Sequence, residues 1–215
     1  MATILVYNND TNKIEKYNKS LSEAMPYVTG NTLKVREFRG SSNSNLMWTT
    51  KYFMQDWNEL RKLWGKPIYV GYAFKRIWQG GHAGMSQHYA GLAMDIGQNL
   101  SNVERDNLRN LAIDSRLFTY VEPKVLTPTW VHIDSRMGTP ACSTGGYPVI
   151  KQGTRGVYVM VLQDALNYLG YSVGNIDGIF GTKTKNAVVR FQSANSLSRD
   201  GIVGCKTWKS ITGKF

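Results

Sequence analysis

A segment without regular periodicity divides this chain into two unequal parts. Residues 137–153, MGTPACSTGGYPVIKQG, are rich in Gly, Pro, Ser and Thr, which are typical of loops and turns. The chain has 215 residues, of which 42% are hydrophobic, so it can bury at least one sizeable core. We therefore predict a domain over residues 1–140, a linker over 141–153 and a smaller domain over 154–215.

The larger part mixes strand-like and helix-like patterns. Residues 3–8 and 13–17 are strand-like and flank Asn8-Asn9-Asp10, which predicts a β-hairpin, and residues 32–38 alternate like a strand. Apolar residues follow helical spacing over 46–64, and Gly65 is typical of a helix end. Further strands are predicted at 68–74, 93–96, 118–122 and 130–134, and a second helix at 102–114. The fold class predicted is α+β, with a mostly antiparallel sheet and flanking helices.

The smaller part shows helical spacing only. Apolar residues recur with helical periodicity over 157–169 and over 182–193, and a short third helix is predicted after Gly204. Three short helices around one small core are the simplest arrangement, so we predict a small all-α domain.

Two of the three histidines lie in short segments that also carry aspartate. His88 precedes Asp95 by seven residues, and a helix would separate them by about 10 Å, too far to share one ion. The chain must therefore turn between them, and Gly91 tolerates the dihedral angles of such a turn. Alternation in residues 130–134 places His132 on the polar face of a strand. Two imidazoles and one carboxylate with an open fourth position are the arrangement of catalytic zinc.

The order of these residues resembles a known enzyme family. Ser86-x-His88-x-x-Gly91-x-Ala93-x-Asp95, followed by His132 in Trp-Val-His-Ile-Asp, resembles the zinc-dependent D-Ala-D-Ala carboxypeptidases and related phage endolysin peptidases. The same motif occurs in the signalling domain of hedgehog proteins, and the resemblance covers residues 32–136. It implies that the larger domain is a zinc peptidase and that His88, Asp95 and His132 bind Zn²⁺.

A zinc hydrolase also needs a general base to move a proton from water to the leaving amine. Many family members carry a Glu three residues before the last His, and here that position is Thr129. We favour Glu122, because in a hairpin centred near Thr127 it would lie across from His132 on the same face. Hedgehog-like sequences also carry Tyr-x-Glu at a comparable point. Asp134 is the alternative base, unless it orients His132 through a hydrogen bond.

Other polar residues near the motif are candidates for the remaining roles. Family members place an Arg at the end of the preceding strand, where this chain has Lys75 and Arg76, so either is a candidate to stabilise developing negative charge. His82, where hedgehog proteins also carry a His, either polarises a substrate carbonyl or is only part of a glycine-rich loop. We expect Ser86 to order the loop rather than to act as a nucleophile. The candidates for substrate contact in this region are Ser86, Gln87 and Trp130.

The C-terminal residues carry a second resemblance. Asp-Gly-Ile-x-Gly occurs at 177–181 and in related form at 200–204, and Leu-Gly-Tyr ends the first predicted helix. Together with Phe191-Gln192 and Thr207-Trp208, this pattern resembles the three-helix peptidoglycan-binding domain that accompanies many wall hydrolases. The resemblance implies that this part holds the protein on peptidoglycan. The candidates for contact with glycan or stem peptide are Tyr171, Phe180 and Gln192.

Charge and cysteines limit the partners. The net charge is +11, and residues 151–215 hold nine basic and three acidic residues, so anionic wall polymers are further candidate partners. Cys142 and Cys205 do not have the spacing of a metal finger or a redox pair, and they are either two buried thiols or one disulfide. No run of 18 apolar residues is present, so we expect no membrane insertion.

These observations favour a monomeric zinc-dependent peptidoglycan peptidase that acts at the cell wall or outside the cell. The favoured bond is D-Ala-D-Ala or another bond ending at a D-amino acid. The alternatives are an L-Ala-D-Glu endolysin peptidase and a non-catalytic wall-binding protein with a structural zinc. A nucleic-acid binder ranks last, because no basic motif interleaved with aromatic residues accompanies the charge. No export signal is visible in the sequence.

Overall fold

The N-terminal hairpin forms as predicted and belongs to a small three-stranded sheet. The computed structural model describes all residues, Met1–Phe215. Its first three strands are β1 (Ala2–Asn8), β2 (Lys13–Lys19) and β3 (Leu46–Thr50), in the order β2-β1-β3. β1 pairs antiparallel with β2 and parallel with β3. The inward side chains of β1, such as Ile4 and Val6, are fully buried and anchor this sheet in the core.

The strand predicted at 32–38 is wrong, because residues 35–39 form a short helix, α1 (Val35–Arg39). Alternation over so few residues also fits the spacing of Val35 and Phe38, which are both fully buried on one helix side. The Glu37 carboxylate accepts a hydrogen bond of 2.6 Å from the Lys34 backbone N–H and so closes the first turn.

The helix predicted over 46–64 begins five residues later than expected, at α2 (Lys51–Trp64). The residues before it are strand β3, in which the β-branched Thr49 packs well on a pleated surface. Thr50 marks the change from strand to helix, because its hydroxyl accepts a hydrogen bond from the Phe53 backbone N–H at 3.1 Å. Gly65 ends the helix at φ 70°, as predicted.

A second sheet of four short strands forms the centre of the larger part. Its strands are β4 (Val70–Tyr72), β5 (Ala93–Ile96), β6 (Tyr120–Val121) and β7 (Val131–Asp134), in the order β4-β5-β7-β6. Every pairing is antiparallel. Two helices accompany this sheet, α3 (Gln87–Ala90) and α4 (Asn102–Ser115). The α+β class and the mostly antiparallel sheet agree with the prediction.

The segment predicted as a linker contains a β-hairpin instead of an open connection. Its strands are β8 (Pro140–Cys142) and β9 (Gly145–Pro148). Tyr147 of β9 is fully buried, with its ring 5.0 Å from those of Tyr158 and Trp208. Cys142 forms a disulfide with Cys205. The glycines and the proline here are turn and strand-end residues, and the hairpin packs the two parts of the chain together.

The C-terminal part consists of three helices, as predicted. They are α5 (Val157–Tyr168), α6 (Thr182–Ala194) and α7 (Cys205–Thr212). Ten consecutive residues of α5, 157–166, are buried. Every side of this stretch is therefore covered, because α5 lies between the other two helices and the larger part. No helix of the chain is both long and apolar enough to cross a membrane.

A buried ion pair joins the two parts. The Arg76 guanidinium, after β4, donates two hydrogen bonds to the Asp164 carboxylate in α5, one of them 2.7 Å long. The side chain of Arg76 is 13% exposed and that of Asp164 is 2% exposed, so both charged groups are largely shielded from solvent. Tyr158, also in α5, donates a hydrogen bond of 3.0 Å to the Gln87 side chain. One continuous hydrophobic core of 46 buried residues runs through both parts.

We expect Asp164→Asn to lower the free energy of unfolding by about 3 kcal/mol, because it leaves the Arg76 cation buried without its counter-charge. Urea unfolding followed by circular dichroism measures this loss. The matched control is Glu59→Gln, which removes the partner of Lys62 in an exposed ion pair and changes stability by less than about 1 kcal/mol. Equal, small losses in both variants would contradict a buried ion pair between the two parts.

Candidate metal centre and active site

His88 is positioned by a helix of one turn and the glycine that ends it. The Ser86 hydroxyl accepts from the His88 backbone N–H at 3.3 Å and caps α3, which is the ordering role expected of this serine. Gly91 follows at φ 68°, and a Cβ there would lie 1.9 Å from the Trp48 carbonyl oxygen. Only glycine allows this close approach, so the predicted turn requires it. The chain then reverses into β5.

Four polar side chains occupy one row across the second sheet. In the strand register Tyr72 pairs with Asp95, and Asp95 pairs with His132. The Glu122 backbone N–H donates to the His132 carbonyl at 3.0 Å, so Glu122 continues the row just beyond β6. Cross-strand partners project from the same face of a sheet. The expected position of Glu122, across from His132 on the same face, is confirmed.

The three predicted metal ligands converge. One nitrogen of each imidazole and one carboxylate oxygen, from His88, Asp95 and His132, lie within 4.8 Å of one another. Asp95 Oδ1 is 2.7 Å from His132 Nδ1 and 3.5 Å from His88 Nε2. Tetrahedral zinc with bonds near 2.1 Å needs ligand atoms about 3.4 Å apart, so small adjustments suffice. His88 Nδ1 contacts the Ala73 carbonyl at 2.7 Å, which leaves Nε2 free to bind a metal.

The charges around the three ligand candidates favour a cation. Burial alone would raise the pKa of Asp95, but hydrogen bonds to His132 and His88 hold it below its usual range. Burial alone would lower the pKa of His132, but hydrogen bonds to Asp134 and Asp95 raise it to about 9. The His132 imidazole therefore lies between two carboxylates. A metal cation in the same position would satisfy the same negative charges.

Asp134 is positioned to orient His132 rather than to act on a substrate. It is completely buried, and its carboxylate lies 3.4 Å from His132 Nε2. Arg136 donates to the same carboxylate from Nε at 2.8 Å. Both oxygens of Asp134 are thus engaged, which favours the orienting role over that of a general base. The Arg136 guanidinium also lies 4.2 Å from the centre of the Tyr120 ring.

These residues line one cavity of about 360 Å³. The cavity collects most of the predicted site residues: the three metal-ligand candidates together with His82, Ser86, Gln87, Glu122 and Trp130. It also contains residues that the sequence analysis missed, namely Ala83, Met85, Tyr120, Arg136 and Gly146. Tyr120 was detectable, since it precedes Glu122 by two residues and so shares its strand face. Gly146 was not, because it reaches the cavity through the hairpin of β8 and β9.

His82 lies against the metal cluster without joining it. Its ring is 4.7 Å from that of His88 and nearly parallel to it, and 4.6 Å from that of Tyr72. Burial, with the nearby His88, lowers the pKa of His82 to about 4, so its imidazole is neutral at pH 7. The Tyr72 hydroxyl is buried without a hydrogen-bond partner. The neutral imidazole of His82 and the unpaired hydroxyl of Tyr72 thus lie next to the three ligand candidates, on the side of β4.

The predicted charge-stabilising role is not supported by the positions of Lys75 and Arg76, because neither lines the cavity. Arg76 is taken up by the ion pair with Asp164, and its guanidinium also lies 5.2 Å from the Trp48 ring. The Lys75 Nζ atom approaches the loop at Gly81 instead. Arg136, which nothing in the resemblance indicated, is the arginine that lines the cavity.

Two of the three wall-contact candidates in the C-terminal part are wrong. Phe180 and Gln192 are each 1% exposed and cannot form a contact surface. Gln192 organises a turn internally: its amide donates to Asp200 at 2.8 Å, and its oxygen accepts from the Gly201 backbone N–H at 2.9 Å. Tyr171 is half-buried, with its ring edge on that of Phe191.

The Asp-Gly turns form a structural repeat. Gln163 bonds to the turn at Asp177 and Gly178 as Gln192 does to the turn at Asp200 and Gly201. A buried glutamine therefore organises each turn from inside. Sequence reasoning identified the turn chemistry but not the side chain that each turn needs in the core.

Comparison with known proteins identifies the C-terminal part. Residues 155–211 match the family described as "Putative peptidoglycan binding domain". The spore cortex-lytic enzyme of Bacillus subtilis (strain 168) is 39% identical over 83 residues, which are 38% of this chain and 27% of that enzyme. The N-acetylmuramoyl-L-alanine amidase CwlL of Bacillus licheniformis is 41% identical over 70 residues, which are 30% of this chain and 19% of that enzyme.

Among solved structures, the SleB N-terminal domain is 37% identical and covers 31% of this chain and 92% of that chain, with a TM-score of 0.31. This chain spans less than a third of the length of the two relatives named above. By name, the first relative is a cortex-lytic enzyme and the second is an amidase. The chain is therefore similar to cell-wall lytic enzymes, and its residues 155–211 match a peptidoglycan-binding domain.

Proposed function

We propose that this protein is a zinc-dependent peptidase of peptidoglycan. It hydrolyses D-Ala-D-Ala or another amide bond ending at a D-amino acid, in the stem peptide or the cross-link. The observation that carries this proposal is the row across β5, β7 and the end of β6, which brings Asp95, His132 and Glu122 into one cavity with His88. The match of residues 155–211 supports the polymer as substrate and the cell wall as the place of action.

The donor set fits Zn²⁺ better than it fits a harder cation. His88 and His132 offer imidazole nitrogens, which zinc accepts and which magnesium and calcium seldom take. With Asp95 as the third ligand, the fourth position stays open, as catalytic sites require. Zinc bound there supplies Lewis acidity, which polarises a carbonyl group and lowers the pKa of water.

Glu122 is the proton carrier in this proposal. Its carboxylate shares a strand face with His132, and it takes a proton from the attacking water and returns it to the leaving amine. Asp134 holds the ring of His132 in one orientation. Arg136 lines the same cavity and provides the positive charge that attracts the carboxylates of stem peptides.

The C-terminal part holds the enzyme on an insoluble polymer. A second binding site raises the effective concentration of the cavity near its substrate without new contacts at the reacting bond. Nine basic and three acidic residues in residues 151–215 add attraction to anionic wall polymers. Anchoring and hydrolysis thus act on one substrate.

The zinc site has a direct binding test. We expect one zinc ion per chain in isothermal titration of chelator-treated protein, and a loss in affinity of at least about 10²-fold for Asp95→Asn, which removes a charged ligand. His82→Gln is the control, because it changes an imidazole of the same cavity that is not among the three ligands. Unchanged affinity in Asp95→Asn would show that zinc binds elsewhere.

Hydrolysis is tested by the release of new amino groups from purified peptidoglycan. We expect chelation to abolish release, added zinc to restore it, and Glu122→Gln to lower kcat by about 10² to 10⁴-fold, because the proton carrier is lost. Glu59→Gln, which changes an exposed glutamate of α2, is the control for activity. Release that survives chelation would refute a zinc enzyme, and full activity of Glu122→Gln would refute its role as base.

A further inference from the structure

The segment that carries Glu122 into the cavity has little core of its own. Between Glu122 and Trp130, which both line the cavity, the chain forms a loop whose tip is exposed. Val125 is 84% exposed and Leu126 is 60% exposed. Hydrophobic packing at the tip therefore cannot fix where this loop begins and ends.

A single buried side chain forms hydrogen bonds with the polar groups of this loop that face inward. The guanidinium of Arg109, in α4, donates to the carbonyl oxygens of Glu122, Thr127 and Trp130 and to the Thr127 hydroxyl. The bond to the Trp130 carbonyl is 2.6 Å long and that to the Thr127 carbonyl is 2.7 Å. Arg109 is 4% exposed and Thr127 is 1% exposed, so these bonds are shielded from water.

The chemistry of this contact requires arginine. A planar guanidinium directs five N–H donors along fixed directions, whereas a lysine ammonium is a compact charge with three. Three carbonyl groups at different points of one loop can converge only on such a fork. Arg109 forms no direct ion pair, and its hydrogen bonds within the loop go to these carbonyl groups and the Thr127 hydroxyl.

We propose that Arg109 is a positioning residue, which fixes the backbone of Glu122 and Trp130 at the mouth of the cavity and so sets the direction of the Glu122 carboxylate. The inference rests on the proposed function, in which Glu122 carries the proton. The Glu122 backbone is then held on both sides, by Arg109 at its carbonyl group and by the His132 carbonyl at its N–H. Neither contact involves the side chain of a candidate metal ligand. Zinc affinity and proton transfer by Glu122 can therefore be measured separately.

A variant of the neighbouring buried arginine provides a matched control. Arg105 lies one helical turn earlier in α4 and is 7% exposed. Its guanidinium donates mainly outside the loop, to the Gly97 and Leu100 carbonyls and the Asn102 side chain, with one bond of 3.2 Å to Pro128. Arg105→Lys therefore carries a similar cost in stability without releasing Glu122.

The kinetic test is a double-mutant cycle on the full chain loaded with zinc, with release of amino groups from peptidoglycan as the assay. We expect Arg109→Lys to lower kcat by about 10²-fold, the effect of a misplaced catalytic group, with zinc affinity unchanged. In the Glu122→Gln background the same change should lower kcat by less than threefold, because residues that act as a unit are not additive. Equal losses in both backgrounds would overturn the proposal and leave Arg109 a purely structural role.

A second readout does not depend on activity. We expect the Glu122 amide proton, bonded to the His132 carbonyl, to lose hydrogen-exchange protection by at least tenfold in Arg109→Lys and to keep it in Arg105→Lys, as measured by NMR. Retained protection in Arg109→Lys would refute the positioning role even in a protein that cleaves nothing. If instead the wild-type protein cleaves nothing, or the Glu122→Gln variant cleaves at the full rate, the proposed function is refuted. Loss of protection at Glu122 would then still support Arg109 as the residue that fixes this backbone.

Discussion

The register of β5 against β7 is the constraint on which the site depends. It pairs Asp95 with His132, and the hydrogen bond from Glu122 to the His132 carbonyl extends the row by one more strand. A slip of one residue would move these side chains to the opposite face of the sheet. Two contacts outside the sheet constrain the chain next to these strands: the close approach of Gly91 to Trp48 before β5, and the hydrogen bonds of Arg109 to the loop between β6 and β7.

The C-terminal part and the hairpin before it support residues that line the cavity. The Tyr147 hydroxyl donates to the Ser86 carbonyl at 2.6 Å, and that of Tyr158 donates to the Gln87 side chain, so the helix that carries His88 is supported from both the hairpin and α5. With the buried ion pair and the continuous core, the two parts form one unit. In the proposed function, wall binding and hydrolysis would therefore occur in a fixed relative geometry rather than through a flexible tether.

The sequence predicted what local patterns determine. Alternation predicted β5 and β7 and the face of each ligand, Gly91 predicted the turn, and a hairpin near Thr127 predicted the position of Glu122. The wrong predictions concern residues whose positions depend on contacts with residues distant in sequence. Arg76 is turned from the cavity by a carboxylate 88 residues away, and Gln192 is buried because the turns need an internal partner. The hairpin of β8 and β9 resembled a linker because its stability comes from Tyr147 and a disulfide.

In the proposed function, a zinc site in this cavity cuts a peptide bond of the cell wall. The decisive measurement is mass spectrometry of purified peptidoglycan after digestion by the zinc-loaded protein, because it identifies the new chain ends. We expect new amine and carboxylate ends at a bond that ends at a D-amino acid, and none after chelation. Cleavage between the glycan and the stem peptide, cleavage of the glycan itself, or no cleavage by folded, zinc-loaded protein would contradict the proposed function.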